Sequence, residues 1–324
     1  MSTPILSAHS LVKHFNAGGF GAARKVVRAV DDVSFELAPG ETLGVVGESG
    51  CGKSTTARLL VQLLTPDSGS VRYEGKVVGP ELPLKAFRSK VQMVFQDSFA
   101  SLNPRMTMID AVAFGPMVHG VSRAEAMRKA QDLLDRVGLD PTRFGGRYAH
   151  ELSGGQRQRV NIARALAFDP RVIVLDEAVS ALDKSVEAQV LNLLMDLRRE
   201  RGLTYVFISH DLNVVRHISD RVMVMYLGEV AEIGPAESLY SAPRHPYTEA
   251  LLAAMPSLDP DRRTMEAPLA GDPPNPIDPP PGCRFHTRCA HAFGPCSAQV
   301  PVSHRVGTGH VAACHLNAKT EEVA

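Results

Sequence analysis

Residues Gly47 to Thr55 read GESGCGKST, and this stretch constrains the chain more than any other. It follows the apolar run Thr42-Leu43-Gly44-Val45-Val46 and precedes Thr56-Ala57-Arg58-Leu59-Leu60-Val61. The order is therefore strand, glycine-rich turn, helix. Gly47, Gly52, Lys53 and Ser54 satisfy G-x-x-x-x-G-K-[ST], whose glycines let backbone N–H groups close around an anion. A helix that begins at about Gly52 aims its positive end at the same point. In this motif Lys53 adds a point charge for β- and γ-phosphates, and the Ser54 hydroxyl is a Mg²⁺ ligand. The motif makes Gly47, Glu48, Ser49, Gly50, Cys51, Gly52, Lys53, Ser54 and Thr55 the nucleotide-binding candidates. Cys51 inside the loop reads as a small filler or as a thiol activated by the helix N-terminus.

Other strand ends point to the same sheet edge. Val172-Ile173-Val174-Leu175 is a fully apolar run ending in Asp176 and Glu177. A strand presents its last side chains at the carboxyl edge, where the phosphate loop also lies. Asp176 is thereby a Mg²⁺ ligand candidate and Glu177 a candidate to polarise the attacking water. Gln96 after Val91–Phe95 and His210 after Thr204–Ser209 reach that edge too, Gln96 as a second candidate for Mg²⁺. Leu152-Ser153-Gly154-Gly155-Gln156 precedes an Arg-rich helix. Ser153 there is an N-cap, or part of a second anion site.

The 324 residues allow one large α/β domain with an appendage, or two domains. Buried strands such as 172–175, 204–209 and 222–227 imply a mostly parallel central sheet covered on both faces. Alternating residues before Leu37, with Val33, Phe35 and Leu37 on one face, imply an antiparallel β subdomain. Helical spacing at Met108, Ile109, Val112 and Ala113, and again at Ala126, Ala130, Leu133 and Leu134, marks a helical insert between about 97 and 166. Charge balances to zero, with no long basic tract and no Trp, so nucleic acid is not the expected partner. The N-terminus does not resemble a signal peptide, and no apolar run approaches a membrane span. A cytosolic chain is expected.

A composition shift divides the chain into an expected nucleotide-binding domain, 1–255, and an extension, 256–324. Within the extension, 273–281 is proline-rich and reads as a stiff extended linker. It leads to Cys283, Cys289, Cys296 and Cys314, spaced C-x₅-C-x₆-C-x₁₇-C. Zinc fingers prefer closer pairs, whereas four loop thiolates suit a [4Fe–4S] cluster. The cluster, Zn²⁺ and free thiols are all open from spacing alone. His286, His291, His310 and His315 are competing ligands, or solvated loop histidines.

The nucleotide loop, Gln96, LSGGQ at 152–156, Asp176-Glu177, Ser180-Ala181-Leu182-Asp183 and His210 together resemble the ATP-binding cassette ATPases. The resemblance implies a P-loop NTPase (RecA-like) core, ATP and Mg²⁺ as ligands, and catalysis by Glu177 with Gln96 and His210. It also implies a head-to-tail dimer in which Ser153, Gly154, Gly155 and Gln156 serve the partner's nucleotide and Asp183 lies at the seam. An early aromatic that stacks on adenine is matched by Phe15, with Phe20 as competitor beside a loop expected at Asn16–Lys25. Ala178 departs from the family's usual Pro. His245-Pro246-Tyr247-Thr248-Glu249-Ala250-Leu251-Leu252 and Gly282–Cys289 are similar to the oligopeptide/dipeptide (and nickel) importers. That subgroup implies a second, homologous ATPase subunit in a heterodimer, two transmembrane permeases and an extracytoplasmic substrate-binding protein. It also implies peripheral attachment on the cytoplasmic side of the cell membrane, and its members are thought to carry [4Fe–4S]. A soluble cassette ATPase acting on nucleic acid or the ribosome, or a redox- or iron-sensing regulatory subunit, is the alternative.

Overall fold

A computed structural model describes residues 3–17, 25–255, 271–272, 274–318 and 321–322. Two sheets organise it. The first is antiparallel, in the order β2-β1-β4-β5: Lys25–Leu37, Leu6–Ala17, Ser68–Tyr73 and Lys76–Val77. Val30, Val33, Phe35 and Leu37 turn one face inward, as the alternation of the sequence predicts. The hairpin of β1 and β2 stays paired to Ala17 and Lys25, so Asn16 and Ala17 are strand rather than loop. Phe20 lies outside the described residues.

The second sheet contains the site. β3 (Thr42–Val46) is parallel to both β8 (Thr204–Ile208) and β9 (Arg221–Tyr226). Beyond β8 follow β7 (Val172–Asp176) and β6 (Val91–Val94), also parallel. All residues of β3, β7 and β8 are buried, the condition that makes such strands read as unbroken apolar runs. β6 ends at Val94, which leaves Gln96 on the loop beyond it. Helix α1 (Lys53–Leu60) follows the phosphate loop, and α2 (Leu84–Lys90) leads into β6.

Helices α3 (Met108–Val118), α4 (Arg123–Arg136), α5 (Pro141–Phe144) and α6 (Gly154–Leu166) form the insert. Thr107, Ser122, Asp140 and Ser153 cap their N-termini through side-chain oxygens. Apolar side chains from all four join the cluster that includes Ile173 and Leu175. Helix α7 (Lys184–Arg201) is capped by Asp183 and ends at Gly202, whose φ of 61° supplies the left-handed turn. Helices α8 (Leu212–Ile218), α9 (Ala236–Ser241) and α10 (Pro246–Ala253) complete the set.

The extension adds strands to the central sheet. β10 (Glu229–Pro235) runs antiparallel to β9, and the sheet continues through β12 (His310–Ala312), β11 (His304–Gly307) and β13 (Glu321–Glu322). Phe285 is buried within the large cluster that also holds Tyr226 and Tyr247. The extension therefore finishes the central sheet. The expected boundary at 255–256 falls where the described residues stop. The expected linker also behaves otherwise, and Pro273 lies outside the described residues. The chain turns at Asn275, whose side chain accepts from Ile277 N–H at 2.9 Å, and Arg28 N–H donates to the Pro276 carbonyl at 3.1 Å. An Asx turn breaks the run, and the segment is docked on β2 rather than held away as a spacer. Among the described residues no helix is long and apolar enough to cross a membrane.

Candidate active site

The phosphate loop leaves the buried end of β3 in the middle of the sheet. Its shape depends on Gly47 and Gly52, with φ of 148° and 106°. A Cβ at Gly47 would sit 2.2 Å from the Met225 carbonyl oxygen, and one at Gly52 would sit 2.1 Å from that of Ala29. Neither position accepts a side chain. Lys53 is almost wholly buried and donates to the carbonyls of Gly47 at 2.7 Å and Glu48 at 3.0 Å. Its ammonium thus rests over the loop that it is expected to leave for phosphate. The Glu48 N–H donates to the Tyr247 hydroxyl at 2.9 Å.

The Mg²⁺ candidates meet. Ser54 Oγ donates to Asp176 Oδ1 at 2.9 Å. Burial pushes the Asp176 carboxyl upward, partly offset by the Ser54 hydrogen bond. A divalent cation between this hydroxyl and carboxylate would supply the missing counter-charge, and oxygen donors suit Mg²⁺. The candidate catalytic groups also converge. Gln96 Nε2 donates to Glu177 Oε2 at 2.8 Å, and His210 Nδ1 lies 3.5 Å from the same oxygen. Glu177 holds a left-handed backbone, φ 47°, and its N–H donates to the Ile208 carbonyl at 3.0 Å. That turn swings the carboxylate clear of β7 toward both partners. Gln96 and His210 are exposed and Glu177 is partly so, so solvent reaches the cluster, as a water-activating set requires.

Other candidates stand apart. Ser153 is exposed, accepts from Gln156 N–H, and receives the Gln156 side chain on its own N–H, a capping box. Gly155 has no room for a Cβ, which would meet Val186 at 2.3 Å. Phe15 is 37% exposed on β1, with Lys13 Nζ 5.8 Å from its ring centroid, so it is not a core side chain. Cys51 is buried, and burial raises its thiol against the pull of Lys53. It is a filler rather than an activated thiol.

The four extension cysteines come together around one cavity, shared with His245, Phe285, His286, His291 and His315. Burial raises Cys283 to about 11 and also raises Cys289 and Cys314. Among the described residues, however, no three potential ligands are arranged to hold a metal ion. Of the competing histidines, His310 is bonded to Glu232 at 2.6 Å, and His286 Nδ1–H donates to the Cys283 carbonyl at 2.8 Å.

Residues 30–180 match the ABC transporter family model, and residues 231–296 match the model of the oligopeptide/dipeptide transporter C-terminal region. A probable peptide ABC transporter ATP-binding protein of Sinorhizobium fredii is 52% identical, covering 98% of this chain and 91% of its own length. The dipeptide transport ATP-binding protein DppF of Escherichia coli is 48% identical, covering 97% of this chain and 95% of its own. The chain belongs to the ATP-binding cassette family. Within it, this is an ATPase of the peptide-transport branch. Among solved structures, the cassette MJ0796 in a dimeric post-hydrolysis state with ADP and Pi superposes with a TM-score of 0.63. It is 30% identical and covers 71% of this chain and 98% of its own. These relatives leave the soluble nucleic-acid reading without support. Two partners of the cassette's phosphate loop escape a sequence reading, Tyr247 and Arg288. The only signal for Tyr247 is its place in the His-Pro-Tyr tract, and for Arg288 its place between two cysteines.

Proposed function

We propose that the chain powers uptake of peptides, or a related small solute, across the cytoplasmic membrane. It sits peripherally on the cytoplasmic face against two permease subunits, which receive cargo from an extracytoplasmic binding protein. The observation that carries this reading is the incompleteness of the site. Ser54 meets Asp176 beside Lys53, and Glu177 follows at the end of β7, while exposed Ser153 and half-buried Gln156 stand apart at the start of α6. A head-to-tail pair of cassettes completes both halves at once, and we assign the second place to a homologous, different subunit. The dimer of MJ0796 with ADP and Pi supports such a pairing.

In that site Lys53 and the loop N–H groups hold the phosphates, and Phe15 offers a face for adenine. Ser54 and Asp176, with Gln96 as a further candidate, would hold Mg²⁺, which would supply counter-charge to the phosphates. Glu177 takes the proton of the attacking water, and His210 and Gln96 aim its carboxylate. Co-purification with permeases encoded beside this chain, and ATPase activity raised by peptide-loaded binding protein, test the reading. An ATPase rate indifferent to the permeases would count against it.

The four cysteines are proposed to hold a [4Fe–4S] cluster. The support is their convergence on a single cavity and the suitability of four loop thiolates. Brown protein with about four irons per chain is expected after anaerobic purification. Colourless, zinc-loaded protein would sink the assignment.

A further inference from the structure

Glu48 is out of place on electrostatic grounds. It is a carboxylate on the loop that receives the most highly charged part of the nucleotide. Two unit charges 4 Å apart interact by several kcal/mol at the effective dielectric of a protein surface, about 20. A bare acid here would oppose ATP. It is not bare. Arg288 Nη1 donates to Glu48 Oε2 at 2.7 Å and Arg288 Nη2 to Oε1 at 3.0 Å, a two-pronged grip. The Arg288 side chain is 5% exposed and that of Glu48 21%. The Glu48 hydrogen bond holds the guanidinium above its ordinary range, so Arg288 is charged at every working pH.

Arg288 ends the short turn His286–Arg288, which begins beside Phe285. Phe285 packs on Tyr226 and Tyr247 with ring centroids 5.3 Å away in each case. Tyr226 Oη lies 3.4 Å from Arg288 Nη1, and Tyr247 Oη accepts the Glu48 N–H. The residue after the first loop glycine is thus held at both ends by the C-terminal region: its backbone by Tyr247, its carboxylate by Arg288.

We propose that Arg288 is a positioning residue of the ATPase site, neutralising and anchoring Glu48 so that ATP affinity depends on the docked C-terminal extension. This rests on the reading of Gly47–Thr55 as the ATP loop. Arg288 touches no reacting atom. Its effect falls on nucleotide binding rather than on the chemical step.

The test measures ATP affinity with a fluorescent ATP analogue, and KM and kcat for ATP, on the full-length chain. Arg288→Gln is expected to raise Kd and KM about tenfold and to leave kcat at saturating ATP within about twofold. Arg288→Lys keeps the charge but not the fork, and is expected to cost about threefold. The double variant Glu48→Gln/Arg288→Gln, with neither charge, is expected to bind ATP more tightly than Arg288→Gln alone. Glu48→Gln alone, which removes the acid together with its grip, is expected to bind ATP more tightly than Arg288→Gln. A mere staple would predict otherwise, with the double variant no better than the single one, and that result would overturn the proposal. So would a folded Arg288→Gln chain whose Kd lies within about twofold of wild type. If Arg288→Gln does not fold, Arg288→Lys decides, and a Kd for that variant indistinguishable from wild type overturns the idea. Lys53→Ala separates the two claims: retained ATP binding there refutes the ATP-loop reading itself, whatever Arg288 does.

Discussion

The phosphate loop and the cysteine-bearing loop meet, yet they are held in contrasting ways. The first is fixed by strands on both sides: β3 lies between β8 and β9, and glycines at 47 and 52 sit against backbone carbonyls. Its shape is set by sterics that leave no alternative. The second has little regular structure and is held by a few side chains, namely Phe285, Arg284 and Arg288. Arg284 is buried and bonds the Leu227 carbonyl, Asp31 and Glu229. A loop built into a sheet tolerates little change at its glycines. A loop held by ion pairs can be released one contact at a time.

The largest expected effect lies on the sheet side. Glu177→Gln keeps the hydrogen bond to Gln96 but removes the base, and should lower ATP turnover by about 10³-fold or more while ATP binding persists. Single-turnover assays check the rate, and sizing in ATP should show a trapped dimer. Wild-type turnover would refute Glu177 as the base. Next is the anchor of the cysteine loop. Arg284→Ala leaves Asp31 and Glu229 without their common partner, and loss of one member of a buried ion pair costs about 3–5 kcal/mol. Hydrogen exchange should accelerate across 283–297 while β3, β7 and β8 stay protected. Equal loss of protection in both regions would erase the contrast.

The same contrast explains what could be read from the chain. β3, β7 and β8 are apolar runs whose partners follow from the parallel pattern, and Ser153 announces its helix as a cap, whereas the cap at Asp183 emerges only in the structure. Gln96, Glu177 and His210 are legible because each follows a strand end. β10 is not legible, because it buries Glu232 in mid-strand. That acid is satisfied by His310 and by the N–H groups of Arg244 and His245. One partner lies 78 residues away, beyond the reach of any local pattern. Arg288 was hidden similarly: its role depends on Glu48, 240 positions earlier. The proline run misled because Asn275 supplies a turn that proline content alone does not disclose.

A smaller effect is expected where the two loops touch. Tyr247→Phe removes one hydroxyl, leaving the Glu48 N–H without its acceptor at a cost of about 1–3 kcal/mol. Stability should fall by that amount. KM for ATP should rise less than in Arg288→Gln, because the carboxylate remains neutralised. A KM rise larger than that of Arg288→Gln would shift the controlling contact from charge to backbone.

The smallest effect concerns pH. Burial pushes Glu229 up to about 7, with Asp31 and Asp32 adding to the rise while Arg284 and Arg28 oppose it. Its ordinary value of 4.5 applies in the unfolded chain, so the folded protein holds this proton more tightly. The associated stability is complete below that ordinary value and is lost as pH climbs through about 7. Glu229→Gln removes the titration but keeps a polar side chain beside Arg284. The fall in melting temperature between about pH 6 and 8 should then be shallower than in wild type, by about 2–4 °C. Asp31, which burial raises but which the hydrogen bonds of Arg284 and His14 bring below its ordinary value, stays ionised throughout that interval and supplies no competing slope. Parallel melting curves for the two proteins would mean that Arg284 already neutralises Glu229 fully, and that the cysteine loop is held independently of pH.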